Sequence, residues 1–156
     1  MIKNTKSLAN VYSKLGQSGA AFGMGLMESQ KNNPEVFVLS ADMAKPAGLS
    51  RFMAKYPDMF FNMGIAEQNL IGVAAGMASE GKKVIATAQA CFISMRSCEQ
   101  IRQFMGYMES KVIAVGISSG FSLTYFGNSH YAIEDLSIMR SIPDITILAP
   151  SDAGQA

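Results

Sequence analysis

The chain has 156 residues, 49% of them hydrophobic and 16% charged, with 12 Met, 14 Gly and a formal net charge of +1. That length suits one domain, 1–156, with a core of its own, while the charge leaves no basic stripe to neutralise nucleic-acid phosphates. No apolar run reaches the roughly 18 residues of a membrane span, and the apolar surplus points to surface covered by a partner.

The opening residues, Met1-Ile2-Lys3-Asn4-Thr5-Lys6, lead into an amphipathic helix rather than an apolar signal core. Residues 7–31 read as that helix, and Gly16, Gly19, Ala20, Gly23 and Gly25 would let another backbone come close. A dinucleotide fingerprint is the other use for such glycines, but it requires a preceding strand, and none precedes them. Asn32-Asn33-Pro34 stops the helix. Val36-Phe37-Val38-Leu39 is a short buried strand that delivers Ser40-Ala41-Asp42 at its C-terminal end. A loop through Pro46, Ala47 and Gly48 precedes a short helix over 50–55, then a strand Phe60-Phe61-Asn62. The helix over 66–80 carries Leu70, Ile71, Ala74, Met77 and Ala78 on a 3.6-residue period.

Gly81-Lys82-Lys83 turns into the strand Val84-Ile85-Ala86-Thr87-Ala88. A helix over 94–109 and the strand Val112-Ile113-Ala114-Val115-Gly116 follow. Ser118 to His130, rich in Gly, Ser, Asn and Thr, reads as a long functional loop. A helix over 132–140 and a strand Thr146-Ile147-Leu148 complete the alternation, and Ser151 or Asp152 caps the start of another helix. A chain that stops there reads as truncated, or as one piece of a split gene. The alternation itself predicts an α/β fold, a mainly parallel sheet with helices on both faces.

Cys91 and Cys98 are placed in one helix, where seven residues span about 10 Å. That exceeds the roughly 7 Å that a disulfide tolerates, so both thiols are expected free and the compartment reducing, hence cytoplasmic. The single histidine, His130, has no cysteine spacing that would make a zinc site.

Asp42, Glu67, Gln89 and Ser118 collect at predicted strand ends, the edge where α/β sheets bind ligands, with His130 on the loop. Glu67 follows a strand and small residues at the mouth of a helix, where an acid can act chemically or simply complement the helix dipole. Phe92 lies just past the strand ending at Ala88, placed either to stack on a flat ligand or to pack in the core. His130 is open to two readings, a catalytic group or a loop histidine bonded to backbone. No phosphate-binding loop, dinucleotide fingerprint, Ser-His-Asp order or acidic metal cluster is present in the sequence.

Asn62-Met63-Gly64-Ile65-Ala66-Glu67-Gln68 followed by Gly72-Val73-Ala74-Ala75-Gly76 resembles the pyrimidine-binding domain of transketolases. Ser40-Ala41-Asp42, Glu99-Gln100-Ile101-Arg102, Ser129-His130, Ala132-Ile133-Glu134-Asp135, Met139-Arg140-Ser141-Ile142-Pro143 and Ala149-Pro150-Ser151-Asp152 match in the same order. The resemblance runs from about Val36 onward. Deoxyxylulose-phosphate synthases and the E1β subunits of 2-oxoacid dehydrogenases share parts of it.

The resemblance implies a thiamine-diphosphate-binding fold in which Glu67 bonds N1′ of the cofactor's aminopyrimidine and Phe92 packs against that ring. It places His130 against substrate oxygens and Asp42 near the cofactor pocket. Gln89 and Met95 stand where the family has two further aromatics flanking the pyrimidine, so they are expected in the cofactor pocket. Other departures concern the substrate. Tyr125-Phe126-Gly127 replaces Glu-Asp-Gly before the loop histidine, Ser118 replaces an earlier histidine, and Ser13 replaces a phosphate-contacting Arg. The family's diphosphate and Mg²⁺ ligands, carried with a Gly-Asp-Gly motif, lie on a domain absent from this sequence, as does a third, C-terminal domain.

The expectation is therefore the C-terminal subunit of a split transketolase, a transferase of two-carbon ketol units that acts on a sugar or sugar phosphate. Thiamine diphosphate and Mg²⁺ would be its cofactors, the metal held by a diphosphate-binding partner subunit in a homo- or hetero-oligomer, and Gly72-x-x-x-Gly76 a helix-packing face. Two alternatives stand beside it: a related thiamine enzyme using another donor, and a non-catalytic assembly subunit.

Overall fold

In the computed structural model, which describes residues 19–156, four parallel strands form one sheet. They are β1 (Val36–Ser40), β2 (Phe60–Asn62), β3 (Lys83–Gln89) and β4 (Val112–Ile117), in the order β2-β1-β3-β4. Leu39 is the pivot of the register, opposite Phe61 on one side and Ala86 on the other. Thr87 in turn lies opposite Val115. Alternation then sorts the side chains to two faces. Val36 and Val38 join Leu26, Ala47, Leu49 and Phe52 on one side. Leu39, Val84, Ala86 and Ala88 join Leu70, Ile71, Ala74 and Ala75 on the other.

Helices cover both faces, as the sequence predicts. The first face carries α1 (Ala20–Asn32) and α2 (Ser50–Lys55), and the second carries α3 (Glu67–Ser79). Two glycines seat α1. A Cβ at Gly19 would strike the Pro46 carbonyl, and one at Gly23 would strike that of Gly48, so backbone meets backbone there. The part of the predicted helix over 7–18, with Gly16 and Ser13, lies outside the described residues.

Three sequence expectations need correction. The helix expected over 94–109 is broken: α4 (Ala90–Met95) ends at a turn, and α5 (Cys98–Gln100) continues as a π-helical segment, Ile101–Tyr107. Two hydroxyls compete with the backbone ladder at the break. Ser94 Oγ donates to the Ala90 carbonyl at 2.7 Å and Ser97 Oγ to that of Ile93 at 2.6 Å, a pattern that bends helices. Cys91 and Cys98 consequently lie in separate helices, and both are free.

Thr146-Ile147-Leu148 forms no strand. Ile145, Thr146 and Leu148 line the same cleft of about 1450 Å³ as Ile113 and Val115 of β4, and pairing needs backbones about 4.8 Å apart. The final helix, α6 (Asp135–Arg140), starts three residues later than expected, because Ala132 bridges back to Gly120. Among the described residues no helix is long and apolar enough to cross a membrane.

Candidate functional site

Parallel strands all point the same way, so β1, β2 and β3 deliver their following loops to one edge. Asn62 ties two of these loops together. Its side-chain oxygen accepts from the backbone N–H groups of Asp42 at 3.0 Å and Gly64 at 3.1 Å, and its amide donates to Asp42 Oδ1 at 3.1 Å. Met63 N–H donates to the Ser40 carbonyl at 2.8 Å. Asp42 and Gly64 have φ of 54° and 71°, a left-handed backbone that suits glycine and costs aspartate some strain. This pinned turn fixes where α3 begins.

The first residue of α3 is Glu67, buried to 2% exposure. Ala66 caps the helix without a side-chain bond, so the acid also complements the helix dipole. It is not left alone. Arg96 Nη1 donates to Glu67 Oε2 at 2.6 Å, and the Arg96 guanidinium carbon lies 4.3 Å from the centre of the Phe92 ring. Phe92 and Arg96 are four residues apart at the end of α4, so one helical turn brings both towards Glu67. An unpaired carboxylate buried this deeply is destabilising, and Arg96, itself partly exposed, supplies the counter-charge.

The loop continues the chain of contacts. His130 meets Phe92 edge-on at 5.3 Å and stacks on Phe126 at 4.6 Å, and Phe126 touches Tyr125 at 4.4 Å. Ser129 Oγ lies 2.9 Å from His130 Nδ1. Thus Glu67, Arg96, Phe92, His130 and Phe126 form one connected row. The loop is otherwise exposed, with short 3-10 turns at Thr124–Phe126 and Asn128–His130.

The other expected residues are distributed along the same edge. Asp42 is exposed and engaged with Asn62. Ser118 follows β4 directly with φ of 57°. Met95 is exposed. Gln89, at the end of β3, is buried, and its Nε2 has no partner among the described residues, nor has Thr87 Oγ1 two residues earlier on the same face. The edge therefore offers a buried carboxylate linked through Arg96 to a flat ring, groups able to hold a planar nitrogen heterocycle. Among the described residues no three His, Cys, Asp or Glu side chains come together as a metal site.

Sequence reasoning missed two residues here. Asn62 lies inside the motif that drew attention to Glu67, yet its role as a tie between loops depends on β1 and β2 being neighbours. Arg96 is visible in sequence only as one charge in a helix, and its i,i+4 spacing from Phe92 was the available signal.

Comparison with known proteins agrees with this fold. The family described as "Transketolase, pyrimidine binding domain" matches residues 17–156. A putative transketolase C-terminal section from Methanocaldococcus jannaschii is 39% identical over 131 residues, 84% of this chain and 42% of the relative. A subunit of apulose-4-phosphate transketolase from Phocaeicola vulgatus is 32% identical over 130 residues, 83% of this chain and again 42% of the relative. A solved structure, described as a split gene transketolase in an inactive β4 tetramer, superposes with a TM-score of 0.77 at 41% identity, covering 90% of this chain and 45% of that one. This chain spans less than half the length of those relatives, and over nearly all of its own length it belongs to the transketolase pyrimidine-binding domain family.

Proposed function

We propose that this chain is the pyrimidine-binding part of a thiamine diphosphate-dependent transketolase-like enzyme that moves a two-carbon ketol unit from a ketose to an aldose. The observation that carries the reading is Glu67, a buried carboxylate on the first turn of α3 beside the open face of the sheet edge. The donors present fit the cofactor's aminopyrimidine. Glu67 would share a proton with N1′, Phe92 would support the ring, and Gln89 Nε2, without a partner among the described residues, would meet a polar atom at its rim. Met95, exposed at the end of α4, and Asp42, beyond β1, would border the same pocket.

When bound, the cofactor supplies a nucleophilic carbon for attack on a carbonyl. Glu67 holds or releases a proton at the ring nitrogen, and burial keeps water from competing for that proton. Phe92 fixes the ring's tilt. His130 stands at the loop, within reach of substrate oxygens, where its ring is steadied by Phe126 and Ser129. Diphosphate and Mg²⁺ ligands would come from a partner subunit, which makes the working enzyme an oligomer. Two relatives support this, since one is named as a subunit of its transketolase and the other is a "split gene" transketolase. Free thiols at Cys91 and Cys98 suit a cytoplasmic setting.

The substrate loop favours a second reading of the reaction partners. Residues 116–133 contain no Asp, Glu, Lys or Arg, and Phe121, Tyr125 and Phe126 are exposed there. Such a loop offers no charged group to a phosphate, and it suits a donor or acceptor without one, including a small 2-oxoacid. The test is reconstitution with a subunit carrying the diphosphate-binding domain, followed by assay of ketose donors against 2-oxoacid donors. Two-carbon transfer from a ketose supports the first reading. Turnover confined to 2-oxoacids supports the second, and no turnover of either class by a cofactor-loaded complex contradicts both.

A further inference from the structure

Resting on the thiamine reading, we propose that Arg96 occupies the aminopyrimidine's place in the cofactor-free protein and is displaced when the cofactor binds. Two contacts define that place in the reading, a hydrogen bond to Glu67 and packing against Phe92. Both are made here by a single side-chain group. The Arg96 guanidinium donates to Glu67 Oε2 at 2.6 Å and lies 4.3 Å from the Phe92 ring centre. A guanidinium is planar, delocalised and rich in N–H donors, so it satisfies the same acceptor and the same ring face as a flat nitrogen heterocycle. While it lies there, that carboxylate oxygen and that face of Phe92 are taken.

The chain has reason to keep such a group. The Glu67 side chain is 3% exposed, and a charge so placed requires a counter-charge when nothing else is bound. The arrangement is also reversible. Arg96 is 44% exposed and sits at the turn where α4 ends. Its long apolar stem can swing towards water while its backbone N–H keeps the bond to the Phe92 carbonyl at 2.9 Å. Binding of cofactor therefore competes with an internal ion pair, and apparent affinity falls by the fraction of molecules in which the pair is open.

The test is calorimetric titration of thiamine diphosphate, at saturating Mg²⁺, into the complex of the full chain with its diphosphate-binding partner. Arg96→Met keeps an apolar stem and removes the guanidinium. The variant is expected to bind cofactor about tenfold more tightly, as for a pair closed in about nine molecules of ten. Cofactor-free Arg96→Met should melt below wild type, and adding Glu67→Gln should restore that loss by removing the orphaned charge. Unchanged or weaker binding by Arg96→Met, with wild type binding normally, overturns the inference and leaves the thiamine reading intact. Absence of binding by both proteins overturns the inference and the reading together.

Discussion

Glu67 can be buried because Asn62 sets the turn before it and Arg96 meets its charge. The pattern of strand, small residues and helix made Glu67 legible from sequence, since each part is local. Its partner was not, because residues 67 and 96 are joined only by the packing of α3 against the end of α4. Asn62→Ala should therefore reduce activity more than stability: the three hydrogen bonds it makes are exposed, yet they fix the start of α3. A tenfold or greater loss of kcat with a Tm change of only a few degrees is the expected outcome, read by steady-state kinetics and thermal melting. Cys91 gives a second residue-scale prediction. Burial pushes its thiol above the ordinary value of 9.0, so little thiolate forms at neutral pH. Iodoacetamide should modify Cys98 in the folded protein well before Cys91. Because the folded pKa lies above the unfolded one, Cys91's contribution to stability is complete below about pH 9 and is lost as pH rises through the folded value.

Among the elements, the seating of α1 is the sharpest case. Gly23 meets the Gly48 carbonyl, so Gly23→Ala should destabilise by about 1–3 kcal/mol in urea unfolding. At Gly76, in α3, an added methyl group would meet nothing within 4 Å. Gly76→Ala in the isolated chain should instead stabilise by about 0.5–1 kcal/mol through helix propensity. The opposite signs follow from environment, although the sequence presents both as glycines in helices. Periodicity located the strands and the cores of the helices well, because apolar alternation reflects burial directly. It failed at Ser94 and Ser97, whose hydroxyls break the helix by bonding its own carbonyls. It failed again at Thr146-Ile147-Leu148, where an apolar extended segment lies across a cleft from β4. A strand needs a neighbour as well as a pattern.

For the molecule as a whole, order β2-β1-β3-β4 gathers the ends of β1, β2 and β3, and the loop after β4, at one edge. That edge carries Glu67, Phe92 and His130 as the sequence expected, with Arg96 inserted among them. The matched relatives extend well beyond this chain, which spans 42% of two of them. In the proposed enzyme the cofactor is held mostly elsewhere, and the isolated chain should show no saturable thiamine diphosphate binding by calorimetry at micromolar concentrations. The central claim is that Glu67 works on a cofactor bound between this chain and its partner. The most direct measurement is kcat of the Glu67→Gln complex, reconstituted and saturated with cofactor, beside the wild type. The predicted result is a loss of about 10²–10⁴-fold with the complex still assembled, whereas turnover within a few-fold of wild type would contradict it.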